Sequence, residues 1–231
     1  MGARDFDWLP VKDLGRIVGY VDKADLRFGK CQRHRRLFQD LDLLPHSAGL
    51  LDLLRRLREV PRIFVTEGGD VVGIATRGDL QRAPVRMLMF GLITLLEMQI
   101  IRLVRAYYPG DSWISFLRVR SVNNARDLQA ERKQRNEAID LADCLQFADK
   151  GQLILRSPQI RQFLGVITEG DPKVFLSKAV QLRNKLAHGQ DLASGSSWVE
   201  VIATFEGILS LLEKCEAALT VRANDHRADR R

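Results

Sequence analysis

Asp70–Leu80 reads DVVGIATRGDL, and Arg16–Leu26 reads RIVGYVDKADL. The two align without gaps at an offset of 54 residues, with Val18/Val72, Gly19/Gly73, Asp25/Asp79 and Leu26/Leu80 identical. Each copy has a β-rich apolar run, a short polar turn and an Asp-Leu pair that opens a helix. Around the second copy the reading extends further. Ser47 is the expected N-cap of a helix over Leu50–Arg58, whose leucines fall on one side. Arg62–Thr66 and Val71–Thr76 read as strands, joined by the hairpin turn Glu67-Gly68-Gly69-Asp70. The expected order is helix, strand, strand, helix. The first copy has too few residues ahead of its last strand for the leading helix, so it is expected to be truncated.

The rest of the composition sets bounds. The chain has 231 residues, enough for two small domains. Net charge is +7, split as +3 over residues 1–85 and +4 over 86–231. That permits a polyanionic partner without naming one, because no segment is a dedicated basic arm. Between the copies, Lys30, Arg33, Arg35 and Arg36 form a basic cluster, read as a solvated patch or as part of a polyanion surface. Cys31, Cys144 and Cys215 are far apart, with no metal-ligand spacing, which predicts reduced thiols and no metal site. The N-terminus has no apolar signal core, and Phe6 stands where a myristoylation signal has Ser or Thr. The longest apolar run, Met87–Leu96, is followed by Glu97, Arg102 and Arg105 and is too short to cross a bilayer. A buried helix, no membrane and a cytoplasmic location are expected.

From Pro84 onward the pattern is helical. A long apolar helix runs to the stop Tyr107-Tyr108-Pro109-Gly110, with Glu97 as a polar exception read as a boundary residue. A second helix is expected over Val122–Ala148, then a broken region over Lys150–Asp171. Asp171 and Pro172 suit the N-cap and first residue of a helix over Pro172–His188, which Gly189 ends. A last helix is expected over Ser197–Val221, followed by a disordered basic tail, 222–231. The fold class is therefore an α+β module over 1–84, with its second copy at about 40–84, then an all-α up-and-down bundle over 85–221, mostly α overall.

Within the bundle, Gln181–Gln190 (QLRNKLAHGQ) gathers Arg183, Asn184 and His188 at a helix end. Asn184 and His188 are four residues apart and share a face. A cation, an amide and an imidazole can hold a phosphodiester and move a proton. An imidazole exchanges protons near neutral pH, and a guanidinium stabilises charge on a phosphorane. The plainer reading is a histidine favoured at a helix C-terminus by the helix dipole.

Two family resemblances follow from these residues. The repeat, with Gly73-Ile74-Ala75-Thr76-Arg77-Gly78-Asp79, resembles the cystathionine-β-synthase (CBS) domain, which usually comes in pairs. The resemblance implies that Thr76 and Asp79, with Asp25 in the first copy, hold the ribose of an adenine nucleotide such as AMP, ATP or a related signalling nucleotide. The first copy departs from the pattern, with Asp22 in place of Thr or Ser. The second half resembles the HEPN family, whose signature is Arg-x(4–6)-His with Asn, Asp or His after the Arg. Arg183-Asn184-Lys185-Leu186-Ala187-His188 fits it. Arg27 and His34 match the spacing alone, but Phe28 follows that Arg.

With LADCLQFADK upstream, the chain looks like one branch of bacterial CBS–HEPN proteins. That implies a homodimeric, metal-independent endoribonuclease of a defence or toxin–antitoxin system, needing no catalytic cofactor. Its partners would be RNA, an adenine nucleotide and an antitoxin or regulatory protein. Arg183, Asn184 and His188 would be catalytic, with Arg132, Lys133, Arg135 and Lys185 as candidate RNA contacts. The competing reading is a non-catalytic nucleotide sensor whose bundle is a dimerisation or docking scaffold.

Overall fold

The computed structural model describes residues 6–26, 31–164 and 170–228. Arg27 and Lys30, Glu169 and the last three residues of the basic tail lie outside them. The chain divides into two compact units, Met1–Arg82 and Ala83–Arg231.

In the first unit, β1 (Trp8–Asp13) and β2 (Arg16–Asp22) form an antiparallel pair with a bulge at Val11/Lys12. A second sheet has the order β3 (Leu43–Pro45), β4 (Arg62–Glu67), β5 (Asp70–Thr76), with β3 parallel and β5 antiparallel to β4. Helix α1 (Leu50–Glu59) buries Leu54 and Leu57. Its N-cap is Gly49 rather than the expected Ser47. The Asp-Leu pairs open no α-helix: Asp25 ends a tight 3-10 turn, Lys23–Asp25, and Asp79-Leu80 lies inside another, Arg77–Gln81.

The first copy of the repeat contributes the β1–β2 hairpin. A lone two-stranded hairpin is marginal in water, and here a cluster of side chains ties it to the second copy. Tyr20 packs on Phe64 and Phe38, with ring centroids 5.2 and 6.0 Å apart. The buried Arg62 guanidinium lies over the Tyr20 ring at 4.1 Å, donates to the Tyr20 hydroxyl and faces the buried Asp42 carboxylate at 3.3 Å. Arg36 closes the edge, exchanging backbone hydrogen bonds with Tyr20.

The second unit is helical. Helix α2 (Ala83–Tyr107) is central and packs against α4 (Phe147–Arg156), α5 (Pro158–Leu164), α6 (Pro172–Ala187) and α7 (Trp198–Ala228). Its buried stripe includes Met89, Ile93, Leu96, Ile100 and Leu103. Glu97 and Arg102 do not interrupt it, so the helix is longer than the apolar run. By length and composition it could cross a membrane, a test that the core helix of a bundle also passes.

The expected helix over Val122–Ala148 is two. Helix α3 (Val119–Gln134) ends where Asn136 takes a left-handed conformation, φ 58°, and Asp140 and Asp143 then cap a 3-10 turn before α4. The region read as broken holds α4 and α5, separated at Ser157. Its hydroxyl accepts from the Ile160 backbone and pairs with Tyr108. The bundle thus has six helices among the described residues rather than four. The tail expected to be disordered continues α7 to Ala228, since the sequence there holds no Gly or Pro to stop it. Phe175 of α6 lies against Gly207 of α7, where no side chain intervenes.

The two repeat glycines differ in need. A Cβ on Gly19 would run into the Arg36 carbonyl oxygen, whereas on Gly73 it would make ordinary contact, 3.8 Å from Val65 Cβ. Gly19→Ala is expected to destabilise the first unit by about 1–3 kcal/mol, while Gly73→Ala stays within about 1 kcal/mol. Denaturant melts of the two variants check this.

Candidate functional site

Two places in the chain gather chemistry, one in each unit. In the first unit, β5 ends at Thr76, and the chain turns so that Thr76 and Asp79 meet. The Thr76 backbone N–H and hydroxyl both donate to one Asp79 oxygen, at 2.8 and 2.9 Å. Arg82 Nε donates to the other at 2.7 Å. Burial alone would raise the Asp79 pKa, but the Thr76 backbone, Arg82 and the Thr76 hydroxyl together hold it below the usual carboxylate range. The result is an ionised carboxylate and a hydroxyl fixed at the mouth of a turn, part-exposed.

The first copy repeats the turn with other chemistry. Asp22, in the place of Thr76, accepts from Ala24 N at 3.0 Å and from Trp8 Nε1 at 3.1 Å. Asp25, in the place of Asp79, binds Arg36, whose Nε donates at 2.8 Å, and this bond raises the Arg36 pKa. The sequence grouped Asp25 with Thr76 and Asp79; the structure pairs it with Arg36 of the segment between the copies.

In the second unit, Asp171 caps α6 through Lys173 N, and His188 ends the helix, its N–H donating to Asn184 O at 3.0 Å. Gly189 follows at φ 65°, in the left-handed region that stops a helix. Asn184 and His188 are exposed, and Arg183 is half-buried. Arg183 reaches Asn184 Oδ1 at 3.5 Å and lies 3.5 Å from Glu97 Oε1 on α2.

The other Glu97 oxygen accepts from the buried Lys150 ammonium of α4 at 2.7 Å. One carboxylate thus holds two cations, and the trio keeps one net positive charge beside an exposed amide and imidazole. Arg86 of α2 braces the same helix end, donating to the carbonyls of Lys185, Leu186 and Gln190 at 2.9–3.4 Å.

The candidate RNA contacts fare differently. The Lys185 ammonium is tied to the carbonyls of Leu192 and Ser194 and fixes the loop after α6. Arg132 pairs with Glu137 at 2.7 Å, and Arg135 with Glu137 and Glu131. Lys133 is exposed and lines a cleft with Arg105, Trp113 and Asp140. None of these four lies in α6 beside His188 except Lys185. Sequence reasoning missed Lys150 and Arg86 and left Glu97 as a boundary residue. Only a polar residue within an apolar pattern signalled Glu97, and nothing local signalled the other two.

Cys144 and Cys215 are buried and free, and burial pushes the Cys215 thiol up to about 12. Among the described residues no group of three His, Cys, Asp or Glu side chains is placed to hold a metal.

Residues 39–86 match the CBS domain family. This is the second copy with both its strands, the Thr76–Asp79 turn and the first residues of α2. No curated protein and no solved structure matches the chain.

Removing one partner of a buried ion pair is costly. Glu97→Ala, which leaves Lys150 uncompensated, is expected to destabilise the second unit by about 3 kcal/mol, read as a lower denaturation midpoint. In the first unit, the depressed Asp79 pKa contributes stability that is present above the ordinary value of about 3.9 and lost as pH falls through the folded value. The melting temperature between pH 5 and about 2 is expected to fall less steeply in Asp79→Asn than in wild type.

Proposed function

We propose that the chain is a cytoplasmic, homodimeric, metal-independent endoribonuclease of the HEPN type, regulated by an adenine nucleotide at its CBS domain. The observation that carries this reading is the end of α6. There the Arg183 guanidinium, held by Glu97, reaches the exposed Asn184, and the exposed His188 follows one turn on from Asn184.

RNA brings its own nucleophile. His188 takes the proton of the 2′-hydroxyl, and O2′ attacks phosphorus. The P–O5′ bond breaks, and the leaving O5′ takes a proton from a second imidazolium. The products are a 2′,3′-cyclic phosphate and a 5′-hydroxyl. Arg183 holds the charge that grows on the equatorial oxygens, and Asn184 orients His188 or a phosphate oxygen. The two imidazoles finish in exchanged protonation states, which water resets.

One chain supplies one imidazole at this site, so the acid comes from a second copy. The surface for that copy is on α2. Met87, Phe90, Leu95 and Met98 are exposed there, with Gly91 and Thr94 between them and no charged residue. An exposed apolar helix stripe of this kind marks an interaction surface. Its spacing of three and four residues is that of one helix face meeting another. Glu97 lies on the flank of the stripe, so a two-fold contact along it brings two α6 ends toward a shared groove.

In the CBS domain, the Thr76 hydroxyl and Asp79 carboxylate suit a ribose diol. That supports nucleotide sensing, with a toxin–antitoxin or antiviral setting as the biological context. An antitoxin or other regulatory protein would be the further partner. The second reading, a nucleotide sensor with a non-catalytic scaffold, draws on the same apolar α2 stripe.

Incubation with labelled RNA in chelator separates the two. Wild type is expected to leave cyclic-phosphate ends, and His188→Ala to cleave about a thousandfold more slowly; equal, intact RNA in both lanes sinks the enzyme reading. Leu95→Glu is expected to convert dimer to folded monomer by light scattering and to abolish cleavage with it. Titration with AMP and ATP is expected to show binding to wild type and at least tenfold weaker binding to Asp79→Ala. Equal affinities would remove the sensor claim.

A further inference from the structure

Six cations of the second unit meet carboxylates. Arg105 binds Asp140 and Asp143, Lys178 binds Glu200, Lys150 and Arg183 share Glu97, and Arg132 and Arg135 hold Glu137. Three others line one cleft together. Between α4 and α6 lies an open cleft of about 420 Å³, lined by Arg118, Arg156 and Lys173 with Gln152 and Ser177, and by no carboxylate. Arg156 donates to the Phe116 backbone carbonyl, and among the described residues none of the three cations has a carboxylate partner. Arg118 and Lys173 are exposed. The floor is apolar, with Leu155, Leu176 and Val180. A positive wall over an apolar floor suits a chain of phosphates that also carries sugars and bases.

The cleft also has a direction. Lys173, Ser177, Val180 and Asn184 are spaced four, three and four residues apart, so they follow one face of α6. Asn184 is the neighbour of Arg183, and His188 ends the same row. From Lys173 to Asn184 the helix rises about 16 Å, a stretch that takes a polymer rather than a single small anion.

We propose that this cleft holds the phosphodiester backbone of single-stranded RNA to one side of the bond that is cut, with Arg118 and Lys173 as phosphate contacts. The proposal rests on the RNA-cleaving reading of the α6 end, and it names residues that reading does not use.

The test uses the full chain carrying His188→Ala, so that RNA is bound and not consumed. Anisotropy of a short fluorescent single-stranded RNA is followed against salt, with and without Arg118→Ala and Lys173→Ala together. Two lost phosphate contacts are expected to flatten the slope of log K against log salt by about 1.4 and to weaken binding about tenfold. Ser177→Glu, which places a carboxylate in the cleft, is expected to weaken binding as well. Arg55→Ala, in the first unit where the guanidinium pairs with Asp52, is expected to leave the slope unchanged. Circular dichroism verifies that each variant is folded.

A slope unchanged in the double variant overturns the proposal, as does absence of RNA binding. Loss of ATP binding with RNA binding intact also overturns it, and assigns the cleft to a free nucleotide. Cleavage by the His188 chain is scored separately. Cleavage with an unchanged slope removes the cleft and leaves the nuclease, whereas a flattened slope without cleavage removes the nuclease and leaves an RNA-binding cleft.

Discussion

The Glu97 carboxylate is the constraint on which the helical unit depends. It sits on the central helix, where an apolar residue would otherwise complete the stripe, and it is largely buried. A buried carboxylate needs a cation, and Lys150 supplies one from α4. That pair fixes α2 against α4. Arg183 then approaches the second oxygen from α6, so three helices meet on one charge. The pair would be neutral without Arg183; with it the cluster is positive, and Arg183 carries it to Asn184. The same atoms that hold the helices together leave the surplus charge that a phosphate requires.

The first unit solves a different problem with similar means. The first copy of the repeat is a two-stranded hairpin, which is marginal by itself. Arg62 reaches across from the other copy and satisfies Asp42 and Tyr20, while its plane covers the Tyr20 ring. Guanidinium is suited to this, because it stacks and donates at once. Gly19 belongs to the same solution, since its bare backbone lets the Arg35–Arg36 segment close on the strand edge.

Much of the framework was legible in the sequence because it is written in local signals. The β4–β5 hairpin, the Asp171-Pro172 start of α6 and its stop at Gly189 each depend on residues within a few positions. Thr76 and Asp79 were singled out by the family resemblance as ribose contacts, not for their bonds to each other. The break after Gln134 was not legible, because a lone Asn in a polar helical run is a weaker stop than Gly or Pro, though Asn turns left-handed more readily than most residues. The partners of Arg86, Lys150 and Lys185 were illegible for a stronger reason. Arg86 bonds carbonyls 99 to 104 residues away and Lys150 a carboxylate 53 residues away, and Lys185 bonds loop carbonyls that carry no residue-specific signal, so none leaves a spacing to read. Lys185 shows the cost of reading charge alone, for a cation next to the motif proves to be a brace for the following loop.

Arg86 lies in the first turn of α2, four residues after the Arg82 that clasps Asp79. Its three bonds run to the carbonyls of Lys185, Leu186 and Gln190, the first two of which also accept from the Gln190 and Gly189 N–H groups. Within the helical unit, one side chain from the start of α2 is therefore a latch on the backbone that carries an imidazole encoded a hundred positions downstream.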